Sequence, residues 1–333
     1  MLLLNLSQPQ NHKCDPMRKT AFLFPGQGSQ SKGMLSEFAD KFVVRECFEE
    51  ASDILRYDLW GAIQHESSID ITETHRTQPI ILTCSVAIWR LWVSNGGQKP
   101  DYLAGHSLGE WSALVCSNVV SFNNAVEIVE KRGQLMQAAV PIGEGAMAAI
   151  LGMDDASIID ICVSADNNDK VSAVNFNAPG QVVIAGETAS VQRAITLAKK
   201  AGAKRAILLP VSAPFHTSMM RPAAEMLERE LENVRFSPPD IPVVHNLNAD
   251  FEKDPAKIRS LILDQIYNPV QWVSCMRTLK ALGVYTYVEC GPGRVLSGLA
   301  RKINSVFELF SSHDIAKFES ALDASLEKGL FHE

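Results

Sequence analysis

Gly105-His106-Ser107-Leu108-Gly109 lies between a short apolar run, Asp101 to Ala104, and a stretch of helix-forming residues, Leu108 to Cys116. A strand that turns through glycine straight into a helix leaves few folds open. Such units in series build a mostly parallel sheet covered by helices, the α/β class. Thr20 to Phe24, an apolar run ending in Pro25-Gly26, predicts a second buried strand that enters a loop. The glycines permit a bend tight enough to hold the Ser107 hydroxyl exposed at the strand's carboxyl end. The helix beyond aims its first N–H groups at the same point. Two readings stand for Ser107: an exposed nucleophile, or a serine that only caps a helix.

The middle of the chain has a different rhythm. Ala146 to Leu151 predicts a strand and Asp155 to Ala165 a helix opened by acidic residues. Val171 to Phe176 and Gln181 to Ala185 predict strands joined by the turn Asn177-Ala178-Pro179-Gly180. Thr188 to Ala201 predicts a helix closed by Gly202, and Arg205 to Val211 a last strand. The order β-α-β-β-α-β is that of the ferredoxin-like motif. A small domain over residues 143–211 is therefore expected, inserted between residues 17–142 and 212–333 of a larger α/β domain. The larger domain resumes with a helix from His216, then Val243-Val244, helices at 254–266 and 271–281, and a strand at Tyr285 to Glu289. Met17 reads as a second plausible start, so residues 1–16 are expected to be a disordered extension outside the fold.

Composition narrows the function. A formal charge of −7 argues against a general nucleic-acid binder. The seven cysteines are scattered, odd in number and without a C-x-x-C pair, which disfavours a zinc site or a disulfide framework and points to a reducing cytoplasm. No apolar run reaches the ~18 residues that span a bilayer, so no membrane association is expected. The expected form is a monomer.

A serine nucleophile needs a base. Among eight histidines, His216 follows a strand exit kinked by proline, Pro210-Val211-Ser212-Ala213-Pro214-Phe215, where catalytic groups collect beyond a sheet's carboxyl edge. His245 is the alternative; His106 fits better as a support for the turn, and His65 and His75 sit in polar, loop-like sequence. Phe122 to Ala139 predicts an amphipathic helix capped by Ser121, whose inward stripe of Phe122, Ala125, Val129, Met136 and Ala139 also contains Arg132. A buried arginine must meet an anion, since leaving it unpaired costs ~3–5 kcal/mol. That anion is either an internal Asp or Glu, or a substrate carboxylate gripped by the planar fork; a guanidinium that reaches back to water is the third reading. Phe24-Pro25-Gly26-Gln27-Gly28-Ser29-Gln30 lacks the lysine of a P-loop. It is either a plain strand-to-helix turn or a flexible loop whose N–H near Gln27 points into a neighbouring site.

These pieces together closely resemble the malonyl-CoA:acyl carrier protein transacylase family of bacterial fatty acid synthesis. The likeness covers nearly everything after Met17. It is carried by Phe24–Gln30, Thr77-Gln78-Pro79, Gly105–Glu110, Arg132 before Gly133, Asn175–Gly186, Ala213–His216, Tyr267–Trp272 and Gly291-Pro292-Gly293. The resemblance implies an α/β-hydrolase-like core with a ferredoxin-like insertion. It implies Ser107 as nucleophile, His216 as general base and acid, and an oxyanion hole from the backbone N–H groups of Gln27 and Leu108. Arg132 would clamp the malonyl carboxylate, and the main-chain carbonyl of Gln265 would orient His216 in place of the usual carboxylate. The substrates implied are malonyl-CoA and acyl carrier protein, with no cofactor and no metal. Phe215, beside the base, is a candidate for limiting space at the malonyl α-carbon. Lys204-Arg205 and Arg301-Lys302 are candidate basic patches for the carrier protein or coenzyme A phosphates. On the same turn a serine esterase or thioesterase is the rival activity, and a non-catalytic carrier-binding module is a second.

Overall fold

The structure, a computed structural model, describes residues 19–166, 168, 170–211 and 213–327. The extension expected at residues 1–16, with Met17, lies outside the described residues.

Lys19–Phe24 (β1) is buried over its last five residues because it is the middle strand of a parallel sheet with helices on both sides. Three helices follow: α1 (Phe42–Leu55), α2 (Leu59–Ile63) and α3 (Thr74–Ser94). Then come β2 (Tyr102–Gly105), α4 (Leu108–Cys116) and α5 (Phe122–Ala138). A second group runs β3 (Gly145–Leu151), α6 (Asp155–Ala165), β4 (Val171–Ala178), β5 (Gln181–Glu187), α7 (Thr188–Lys200) and β6 (Arg205–Leu208). The chain returns through α8 (Arg221–Glu230), β7 (Val243–Val244), α9 (Pro255–Gln265), α10 (Trp272–Ala281) and β8 (Val284–Glu289). It ends on α11 (Val295–Ile303), β9 (Glu308–Ser311) and α12 (Ile315–Glu327).

The first sheet has the order β7-β2-β1-β8-β9 with every pairing parallel, and the second has the order β4-β5-β3-β6 with every pairing antiparallel. The fold is therefore α/β, a parallel sheet joined to an antiparallel one. Their cores are joined, since Met147, Val174, Val183 and Ala185 of the second sheet enter the large cluster. Ala148, Ile150, Val182 and Ile184 pack under α6 and α7 in the second, while Phe22, Ile81, Trp111 and Val129 belong to the large cluster of the first. The two sheets are tied by main chain: Val270 N donates to Val174 O at 2.8 Å and Phe176 N to Val270 O at 3.1 Å. That pairing covers the edge of β4, which would otherwise present open hydrogen-bonding groups.

Several helices start where their side chains dictate. Ser121 Oγ accepts the Asn124 N–H ahead of α5, and Asp154 and Asp254 cap α6 and α9, the latter with Pro255 at its first position. Four sequence expectations need correction. His75 lies in the first turn of α3, not in a loop, and the last strand ends at Leu208, with the Leu209 N–H still bonded to Met147 O and residues 210–211 beyond it. His216 lies in a turn with Phe215; the regular helix begins at Arg221. Asn177 and Ala178 belong to β4, so the hairpin turns on Pro179-Gly180, with Gly180 at φ 72°. No helix among the described residues is long and apolar enough to cross a membrane.

Candidate active site

Ser107 forms the turn between β2 and α4 with φ 51° and ψ −105°, a conformation L residues adopt only when the surroundings impose it, at a cost of ~1–3 kcal/mol. Glycines let the chain bend this sharply. A Cβ on Gly105 would overlap the Gly109 carbonyl, one on Gly109 would overlap the Phe24 carbonyl, and one on Gly26 would overlap the His106 carbonyl. The end of β1, the turn and α4 are thus packed backbone against backbone. Asn246, just after β7, clasps the turn from outside: its Oδ1 accepts the Ser107 N–H at 2.6 Å and its Nδ2 donates to Gly105 O at 2.7 Å.

His216 lies 4% exposed, with φ 64°, and its Nε2 is 2.8 Å from Ser107 Oγ. Its Nδ1 is 2.8 Å from the Gln265 carbonyl oxygen. A carbonyl only accepts, so Nδ1 carries the proton and Nε2 is left free to accept from the Ser107 hydroxyl. Burial, and then the charge of Arg132, push the imidazole down to about 3, against the smaller opposing effect of the Gln265 carbonyl. It is neutral in the free protein.

Arg132 is 2% exposed. Gly133 explains how it gets there: a Cβ on Gly133 would meet His75 Cα at 2.5 Å and Thr74 O at 2.8 Å, so only glycine lets α5 lie this close to the first turn of α3. That approach carries Arg132 to Gln78, whose Oε1 accepts from Nη1 at 2.7 Å. Nη2 donates to Gln265 Oε1 at 3.1 Å and to Ser107 Oγ at 3.3 Å. All three partners are neutral, and none of the ion pairs among the described residues involves Arg132. Burial lowers its pKa to about 10, so it is still charged at neutral pH.

Gln265 links this cation to an acid. Its Nε2 donates to Glu110 Oε2 at 2.7 Å, and Glu110 also takes the Asn246 N–H at 3.0 Å and faces His245 Nδ1 at 2.7 Å. His245, the alternative base, is therefore committed to Glu110. His106 points its Nε2 to Asn177 Oδ1 at 2.7 Å.

Ser107, His216, Arg132, Gln27 and Leu108 line one cavity of about 120 Å³, small beside the ~300–1,000 Å³ of drug-sized clefts. Gln265 stands behind it. Leu108 opens α4, so its N–H has no partner within the helix. Met136, Met147 and Phe215 supply apolar wall, so Phe215 shares the narrowing with two methionines. The cavity continues past Gln27, His106 and Asn175 into a groove of about 420 Å³ between Gly28, Gln181 and Leu299. Lys302 of the Arg301-Lys302 pair reaches Gln181 on that groove, its Nζ donating to Oε1 at 2.7 Å. Gln78, Glu110 and Asn246 join the site without a role expected from the sequence. A lone acid in α4, where all nine residues are buried, was the available signal for Glu110.

The fold is that of an acyl transferase: residues 21–303 match the family described as the acyl transferase domain. The malonyl CoA-acyl carrier protein transacylase of Salmonella typhimurium is 49% identical over 307 residues, covering 92% of this chain and 99% of that protein. The crystal structure of an acyl carrier protein S-malonyltransferase from Vibrio cholerae is 49% identical with a TM-score of 0.88, covering 91% of this chain and 99% of that one. A malonyl-transacylase solved in complex with a type II PKS acyl-carrier protein is 47% identical with a TM-score of 0.90, over 92% of this chain and 99% of that one. The chain belongs to the malonyl CoA-acyl carrier protein transacylase family.

Proposed function

We propose that the chain moves a malonyl group from malonyl-CoA to the phosphopantetheine thiol of acyl carrier protein, through an ester on Ser107. The observation that carries this reading is Arg132: a buried guanidinium held by neutral oxygens only, 3.3 Å from the serine hydroxyl. A site for plain acyl groups would leave that charge unpaired. A malonyl group brings a carboxylate to it.

The geometry supports the following steps. His216 Nε2 takes the Ser107 proton as Oγ attacks the malonyl thioester carbonyl. The oxyanion is held by the N–H groups of Gln27 and Leu108, each worth ~2.7–4 kcal/mol in comparable sites. The C–S bond breaks, coenzyme A thiolate takes the proton from His216, and malonyl-serine remains. The carrier protein's thiol then enters the groove, gives its proton to His216, and attacks the ester in the reverse sense. Thioester and ester exchange moves no net electrons. The Gln265 carbonyl fixes the tautomer of His216, and being neutral it stabilises imidazolium less than a carboxylate would.

In the finer description the parallel sheet is an α/β-hydrolase-like core over the described residues of 17–142 and 212–333, and the described residues of 143–211 are a ferredoxin-like insertion. The β4-β5-β3-β6 order, with α6 and α7 as the crossovers, supports it. The described cysteines are all buried thiols without disulfides, which fits a cytoplasmic protein. Steady-state transfer with malonyl-CoA and holo acyl carrier protein varied together tests the function. Parallel double-reciprocal lines and malonyl-carrier product are expected; free malonate as the main product, unaffected by carrier protein, would mark a thioesterase.

A further inference from the structure

The hydrogen bond from Arg132 to Ser107 has a chemical consequence beyond anchoring. In the free site Nη2 of Arg132 donates to the oxygen that must attack, at 3.3 Å, while that oxygen's own proton faces His216 Nε2 at 2.8 Å. A nucleophile whose lone pair holds a guanidinium N–H is less available. The same positive charge opposes the formation of imidazolium at His216, and no acid stands on Nδ1 to offset it, because the partner there is the neutral Gln265 carbonyl. Both restraints come from one group, and both are lifted by the same event. A carboxylate on Arg132 draws Nη2 off the serine and cancels the charge facing the imidazole.

We propose that Arg132 holds Ser107 and His216 in a weakly reactive state until an anion occupies the guanidinium, so that the substrate's free carboxylate switches on the nucleophile as well as anchoring the acyl group. This rests on the malonyl-transfer reading above. It accounts for selectivity in the rate of acylation itself: an acyl group without a carboxylate enters a site that is complete but restrained. Water meets the same restraint in the free protein.

The two parts of the malonyl group can be supplied separately. Acetyl-CoA delivers the acyl carbon, and formate delivers a carboxylate small enough to share the cavity. Acetylation is balanced as acetyl-CoA and the Ser107 hydroxyl giving acetyl-serine and coenzyme A, the proton passing through His216. The experiment follows acetylation of the full chain by intact mass against time, with formate titrated against chloride at equal ionic strength, and malonyl-CoA run alongside. Formate is expected to raise the acetylation rate of the wild-type protein by at least about tenfold. Arg132→Gln is expected to acetylate faster than wild type without formate and to ignore formate. Formate that slows acetylation or leaves it unchanged, while malonyl-CoA still labels Ser107, overturns the switch and leaves the malonyl-transfer reading standing. A formate effect that persists in Arg132→Gln also overturns it. Absence of any malonyl label on Ser107 is a separate result that removes both. Should Arg132→Gln fail to fold, the wild-type titration decides alone.

Discussion

Asn246 is bound to Ser107 through the shortest polar contact of the serine turn, its Oδ1 accepting the Ser107 N–H at 2.6 Å. The contact matters because Ser107 has φ 51° and ψ −105°, and a conformation of that kind persists only when neighbours fix it. With Nδ2 on Gly105 O, one side chain holds both flanks of His106. Asn246→Ala is therefore expected to lower single-turnover acylation by ~100-fold, as a small misplacement of a reacting group does. Malonyl-CoA affinity, measured in the Ser107→Ala background, is expected to change little, since Asn246 does not touch Arg132. An equal loss in affinity and rate would mean that Asn246 supports the whole site and not the turn.

Gln265 permits a cleaner separation, because its main chain serves His216 and its side chain serves Arg132. Gln265→Ala keeps the carbonyl and removes the amide. The KM for malonyl-CoA is expected to rise ~10-fold or more, since a hydrogen bond to a charged group contributes ~1.5–3 kcal/mol. Reactivity of Ser107 toward a neutral fluorophosphonate is expected to stay within a few-fold of wild type. Loss of that reactivity would show that the side chain, not the carbonyl, orients the base.

Gly133 sets the distance between α5 and α3. Gly133→Ala must push Cβ into His75 and Thr74 main chain, so a loss of ~1–3 kcal/mol in unfolding free energy is expected. A fall in the malonyl-to-acetyl rate ratio should follow, as Arg132 and Gln78 lose register. Gly298 is the control: it lies in α11, and an added Cβ there meets nothing within 4 Å. Gly298→Ala is expected to raise stability by ~0.4–1 kcal/mol. Denaturant midpoints of the two variants compare the effects directly.

The histidine makes a pH statement. Its folded value is pushed to about 3 by burial and by Arg132, while the unfolded chain protonates it near ~6.5. Between those values the unfolded state binds more protons, so this group's contribution to stability is intact above about pH 6.5 and is lost as pH falls toward about 3. His216→Gln should remove that part of the slope in urea midpoints. For the same reason kcat/KM, which reports the free protein, should show no acid limb near pH ~6.5. A limb there would place a charged imidazole in the resting site.

The sequence shows most of the strands, though not β9, and also the serine turn and the inward stripe of α5, because each is local: two glycines around a serine, short apolar runs, a capped helix with an arginine on its buried side. It shows less of α3. Buried over most of its length and carrying Pro79 after a polar start, that helix has neither a clean amphipathic stripe nor a typical beginning. Partners across the fold were hidden for a different reason. Gln78, Glu110 and Asn246 come from three separate segments, and only the folded chain shows that they meet around Arg132, Gln265 and Ser107. The stripe left open whether Arg132 faced an internal acid. The folded site holds it on neutral oxygens, with Glu110 one amide away through Gln265.

The most direct test is intact mass after mixing the protein with malonyl-CoA, for wild type and Ser107→Ala. A gain of one malonyl group on wild type, discharged by holo acyl carrier protein and absent from Ser107→Ala, is the expected result. A label that survives in Ser107→Ala, or malonyl transfer without any covalent label, would contradict an ester on this serine.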